Sequence, residues 1–128
     1  MTAKNIEGAR ACAEKRGRWA ETLCVIVLRL TGWRILARRM TAARGLGLGE
    51  IDIVARRGRT LAFIEVKVRE AETAALESVS TAQRSRIARA AEVFIQHQTA
   101  HADCDVRFDV MILTAGFVPR RIADAWRP

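Results

Sequence analysis

A chain of 128 residues, half of them hydrophobic, can bury a core without disulfide or metal staples, and its length predicts one domain over 1–128. Twenty-two Lys and Arg against fourteen Asp and Glu give a net charge of +8, which favours an anionic partner, nucleic acid before membrane. No apolar run approaches the ~18 to 20 residues that a bilayer span requires, and three scattered cysteines without Cys-x-x-Cys exclude a disulfide framework and a structural zinc site.

Residues 1–16 are polar and alanine-rich, a short or frayed arm without the apolar core of an export signal, so the expected location is the cytoplasm. Trp19, Leu23, Ile26, Val27 and Leu30 then recur at helical spacing, and Gly32 stops this first helix. Glu21 lies in its opening turns, where the helix dipole favours a carboxylate. Trp33 to Arg39 reads as a first strand, antiparallel to Ile51–Ala55. Between them Arg44 to Gly49 alternates Gly and Leu, but it is neither a P-loop nor followed by a helix, and reads as a connection.

Ile51–Ala55 and Leu61–Val68 are apolar and β-branched, with Arg57-Gly58-Arg59-Thr60 as the turn of a hairpin. A type II′ turn with Gly58 in its first central position pairs Arg57 with Thr60, Asp52 with Glu65 and Glu50 with Lys67. Alternation then puts Glu50, Asp52, Glu65 and Lys67 on one face, and a two-residue slip of the turn would leave them there. Three carboxylates beside one ammonium repel one another unless a cation sits between them, and a hard divalent ion fits best. The plainer alternative is a solvated face with a Glu50–Lys67 pair contributing up to about 1 kcal/mol. Val54, Leu61 and Phe63 on the same face argue against full solvation.

After a connection at Arg69 to Ala75, Ser78 or Ser80 can cap a second helix that runs to about His97, with Ile87, Ala91, Phe94 and Ile95 as its buried stripe. Arg84, Arg86 and Arg89 lie on its other faces, either solvated or in contact with phosphates. His97 and His101 stand four apart without the Glu of a zincin motif, and read as exposed helix residues. Asp105 to Thr114 alternates and forms a fourth strand, parallel to the third through a right-handed crossover. Pro119 followed by Arg120 to Trp126 suggests a short closing helix with Ile122 and Trp126 turned inward. The expected fold is α/β: a mixed four-stranded sheet, its first three strands an antiparallel meander, with helices on both faces.

An acidic residue on one strand followed by Glu-x-Lys on the next resembles the PD-(D/E)XK nuclease superfamily. GEIDIVA and FIEVKVR, with GRWAETL and RFDV elsewhere, resemble its YraN-like family of small bacterial proteins, which are Holliday-junction-resolvase-like. The resemblance implies a restriction-endonuclease-like core and a Mg²⁺ or Mn²⁺ ion bound by Asp52, Glu65 and the Val66 carbonyl. It further implies Lys67 orienting the attacking water, and Glu21 and Glu50 serving a second ion or the surroundings of the first. Gln83 matches a glutamine frequent at that place in the superfamily, although the aromatic expected four residues later is Ile87 here. The loop at 44–49 is a few residues longer than the family pattern. The implied activity is metal-dependent hydrolysis of nucleic-acid phosphodiesters, DNA before RNA, with Arg69, Arg84, Arg86 and Arg89 on the phosphates. The competing reading is a nucleic-acid-binding adaptor that keeps the fold and turns over poorly. Both a monomer and a homodimer are compatible with the sequence.

Overall fold

The computed structural model describes residues 18–41, 50–68, 79–113 and 119–127. The expected N-terminal arm, the Gly-Leu loop and Arg69 lie outside them. A helix over 18–30 (α1) is followed by strands Arg34–Thr41 (β1), Glu50–Arg57 (β2) and Thr60–Val68 (β3), helix Thr81–His97 (α2), and strands Asp105–Leu113 (β4) and Arg120–Trp126 (β5). The strands lie in one open five-stranded sheet in chain order. β3 and β4 are parallel, and every other neighbouring pair is antiparallel. No described helix is long and apolar enough to cross a membrane.

The meander, the second helix and the parallel fourth strand stand where the sequence puts them. Gly58 has φ +60°, Arg59 has no positive φ, and Arg57 pairs with Thr60, as a type II′ turn requires. Ser80 caps α2, its Oγ accepting the N–H of Gln83 at 3.1 Å. At the end of α1, Gly32 adopts φ +91°; its N–H donates to the Arg29 carbonyl and that of Trp33 to the Leu28 carbonyl, a Schellman closure.

Two expectations are corrected. The sheet has five strands rather than four, because Arg120–Trp126 is a strand and not a helix. It covers the edge of β4: the Asp124 N–H donates to the buried Asp109 carboxylate at 2.8 Å, and Trp126 stacks on Phe108 with centroids 4.2 Å apart. That tertiary pairing overrides the helical preference of Ala123 and Ala125. In α1 the buried face is Ala20, Glu21, Cys24, Val25 and Leu28, whereas Trp19, Ile26 and Leu30 are 51%, 47% and 82% exposed. Small side chains let the helix approach the sheet closely where Ala55 and Ala62 lie beneath it.

Successive strand residues feed opposite cores. Val54, Phe63, Val110 and Ile112 pack with Ile87 and Phe94 of α2. Ala55, Ile64 and Met111 pack with Cys24 and Leu28 of α1. Helices therefore cover both faces, and the carboxylates of the hairpin emerge where these cores end.

Candidate active site

The β2–β3 ladder runs from Arg57↔Thr60 to Ile53↔Ile64 and stops there. Asp52 is the next residue, and its Oδ2 accepts the Val66 N–H at 2.8 Å. A carboxylate thus takes the donor a strand carbonyl would otherwise have taken, which opens the sheet and fixes the Asp52 side chain at the opening. Glu65 stands beside it. Gln83, in the first turn of α2, donates from Nε2 to Glu65 Oε2 at 2.9 Å, and Lys67 Nζ lies 3.5 Å from the same oxygen. The Ser80 cap and the Gln83 bond together bring the start of α2 over the end of β3.

Glu50, Asp52, Glu65, Ser80, Ala82, Gln83 and Arg86 line a cavity of about 460 Å³. Burial, and then the charge and hydrogen bonding of Asp52, push the Glu65 carboxyl up to about 8, against the pull of Lys67. At neutral pH the pair therefore retains a proton that neither acid would keep in water. This is an environment with one negative charge too many for its neighbours. Oxygen donors in a polar cavity are the chemistry a hard divalent ion takes. Among the described residues no group of three or more His, Cys, Asp or Glu is placed to hold an ion by itself. Asp52 and Glu65 would supply the one or two carboxylates by which Mg²⁺ or Mn²⁺ is often held. The residues present fit the group.

The other expected residues divide. Glu50 lines the cavity from its exposed place at the start of β2, and Gln83 is in direct contact with Glu65. Glu21 faces elsewhere: its buried carboxylate accepts from Arg38 Nε at 3.1 Å and Arg39 Nε at 2.9 Å. Two successive strand residues reach one carboxylate because Arg39 has φ +50°, which breaks the alternation of the strand. Arg39 also feels Glu50 and Asp52, so Glu21 anchors a cation near the acidic pair rather than lining the cavity. Arg86 lines the cavity, whereas Arg84 bonds the Val79 carbonyl and lies 5.9 Å from the Trp126 ring. Arg89 is exposed on α2.

His97 ends α2, while His101 is buried in a 3₁₀ turn, stacked on Phe94 and 2.8 Å from Arg56 Nη1, so the two histidines share no exposed helix face. Cys24, buried in the core beneath α1, has its thiol pushed up to about 12 by burial and then by Asp52 and Glu21, and stays a thiol. Cys24 and Cys104 are both unpaired in the structure. Sequence reasoning did not assign Arg38 and Arg39 to Glu21; a pair of arginines on the adjoining strand was the only signal.

Residues 20–113 match the model of the family described as "Uncharacterised protein family UPF0102". A UPF0102 protein of Paramagnetospirillum magneticum is 46% identical over 93% of this chain and 92% of its own length. One from Parvibaculum lavamentivorans is 46% identical over 91% of this chain and 84% of its own length. A third, from Rhizobium johnstonii, is 37% identical over 98% of this chain and the whole of the relative.

Proposed function

The chain belongs to the UPF0102 family, the YraN family that its hairpin motifs resemble, and from that premise we propose that it is a metal-dependent phosphodiesterase acting on nucleic acid, DNA before RNA, in the cytoplasm. The observation that carries this reading is the Asp52–Glu65 pair, which sits in a polar cavity beside Lys67 with the Glu65 carboxyl pushed up to about 8 by burial and then by Asp52. The first four strands with α1 and α2 are read as a restriction-endonuclease-like core, to which β5 adds an edge.

Asp52 and Glu65 would hold Mg²⁺ or Mn²⁺, with the Val66 carbonyl and Glu50 as further oxygens. When bound there, such an ion would supply positive charge for the scissile phosphate and lower the pKa of water. The Val66 N–H fixes the Asp52 carboxylate, and Gln83 fixes that of Glu65, so neither has to be ordered when substrate arrives. Lys67, held beside Glu65, orients the attacking water and favours its hydroxide form. Arg86 at the cavity meets an adjacent phosphate.

Cleavage of single-stranded, duplex, flap and four-way-junction DNA with Mn²⁺, with EDTA, and by Asp52→Asn tests this. Metal-dependent cleavage lost in the variant is expected. Binding with no cleavage by wild type on any of these substrates would overturn the enzyme reading. It would support the second reading, an adaptor, which the net charge of +8 favours independently of turnover.

A further inference from the structure

At the opposite end of the β2–β3 hairpin, arginines converge on a second cavity, of about 440 Å³, lined by Gly32, Arg34, Arg56, Arg57 and Gly58. Their partners are neutral. Arg56 donates to the Gly58 carbonyl at 2.9 Å, the Ala100 carbonyl at 3.3 Å and His101 Nδ1 at 2.8 Å. Arg57 donates to the Thr31 carbonyl at 3.1 Å and lies 4.6 Å from the centre of the Trp33 ring. Arg34, exposed and opposite Arg56 in the β1–β2 ladder, has no carboxylate within ion-pair distance among the described residues, nor do Arg56 and Arg57. Guanidinium groups fixed by carbonyls, an imidazole and an aromatic face keep their full charge and lose little freedom when an anion arrives. His101 reports the same potential, its pKa lowered by burial and then by Arg56 and Arg34.

The position selects the anion. β1 is an edge of the open sheet, and the cavity lies at its beginning, while the acidic pair lies toward its end, where Thr41 pairs with Glu50. Asp52 and Arg56 are four residues apart on one strand, about 13 Å at the rise of an extended chain. One phosphate ion cannot touch both places. A polynucleotide can, since each strand of a duplex carries a charge about every 3.4 Å of axis, so about four nucleotides cover the separation. We propose that the Arg34–Arg56–Arg57 cavity is a second phosphodiester-binding site, which holds the backbone of a nucleic acid about four nucleotides from the Asp52–Glu65 pair along the β1 edge. The proposal rests on the nucleic-acid reading of that pair and adds a contact that anchors substrate away from the scissile bond.

The test is fluorescence anisotropy of labelled single-stranded and duplex 20-mers over a range of NaCl, with the full chain in EDTA. Wild type is compared with Arg34→Gln/Arg57→Gln, with Arg34→Gln alone, and with the charge-matched control Arg18→Gln/Arg29→Gln on the exposed side of α1. The double variant should bind about tenfold or more weakly than the control, with a duplex salt slope smaller by about two phosphates, or ~1.8. Arg34→Gln, which removes no hydrogen bond, should show about half the slope change and keeps the test valid should the double variant melt early. Binding by both variants equal to the control would overturn the second site while leaving the acidic pair as the nucleic-acid site. Wild type that binds no nucleic acid at low salt would overturn both readings.

Discussion

Glu65 and Asp109 are buried acids on neighbouring parallel strands, one register step apart, and they stand in opposite electrostatic company. Asp109 accepts two bonds from Arg107, at 3.0 and 2.9 Å, and one from the Asp124 N–H, with Arg121 at 3.6 Å. Both arginines lie over the Trp33 ring. Glu65 has a second carboxylate, a neutral amide and one ammonium at 3.5 Å. Glu21, bonded to Arg38 and Arg39, resembles Asp109 in this respect. Burial of an acid therefore does not mark chemistry. An acid whose cations are supplied by the fold locks elements together, and one facing another acid carries a repulsion that a cation from outside would relieve.

The sharpest break in this comparison is mutational. Asp109→Ala should cost about 3–5 kcal/mol in urea unfolding, because two partly buried guanidinium groups lose their partner. Asp52→Asn, which keeps an acceptor for the Val66 N–H and removes the repulsion, should stabilise the ion-free protein by about 1 kcal/mol. The same sign for both would collapse the distinction. Lys67→Met keeps the apolar stem and deletes the ammonium, so metal-dependent cleavage should fall by about two to four orders of magnitude with DNA affinity changed several-fold at most. Equal cleavage by variant and wild type would remove the catalytic role of Lys67.

The pH dependence follows from the sign of the Glu65 shift. Its folded carboxyl titrates at about 8 against an ordinary 4.5, so the folded protein keeps a proton that the unfolded chain has lost between those values. The corresponding stability is complete below 4.5 and is lost as pH rises through 8. Melting in EDTA should drop by about 5 °C or more from pH 5 to pH 8.5, and Glu65→Gln should flatten that profile. The smallest effect is expected at Gln83. Its alanine variant should lose about tenfold in cleavage, as outer partners of metal ligands commonly do, and about 1 kcal/mol in stability.

Much of the site was legible because it is local. Gly58 fixes the turn, and the turn fixes the register as far as Ile53↔Ile64, which brings Asp52, Glu65 and Lys67 to the same end of the hairpin although the expected Asp52–Glu65 and Glu50–Lys67 ladder pairs do not form. The end of the ladder at Ile53↔Ile64 was not legible, since it depends on a side chain replacing a strand carbonyl as acceptor for Val66. Helix α1 was recognised by its large apolar residues, yet its inward face carries small ones and a carboxylate, because close packing on Ala55 and Ala62 and the pull of Arg38 and Arg39 outweigh hydrophobicity. The fifth strand was hidden for a related reason. The ladder with β4, the Asp109 acceptor and the Phe108 ring hold Arg120–Trp126 extended, and all lie on the preceding strand, outside the local pattern of residues 120–126.

The account stands most directly on whether the Asp52–Glu65 pair takes a divalent ion in place of its proton. Calorimetric titration of Mn²⁺ into the ion-free chain at pH 7, repeated in two buffers of different ionisation enthalpy, measures binding and proton release together. The result predicted is ion binding with release of up to about one proton, and loss of both in Asp52→Asn. No binding, or binding by Asp52→Asn equal to wild type, would contradict the account.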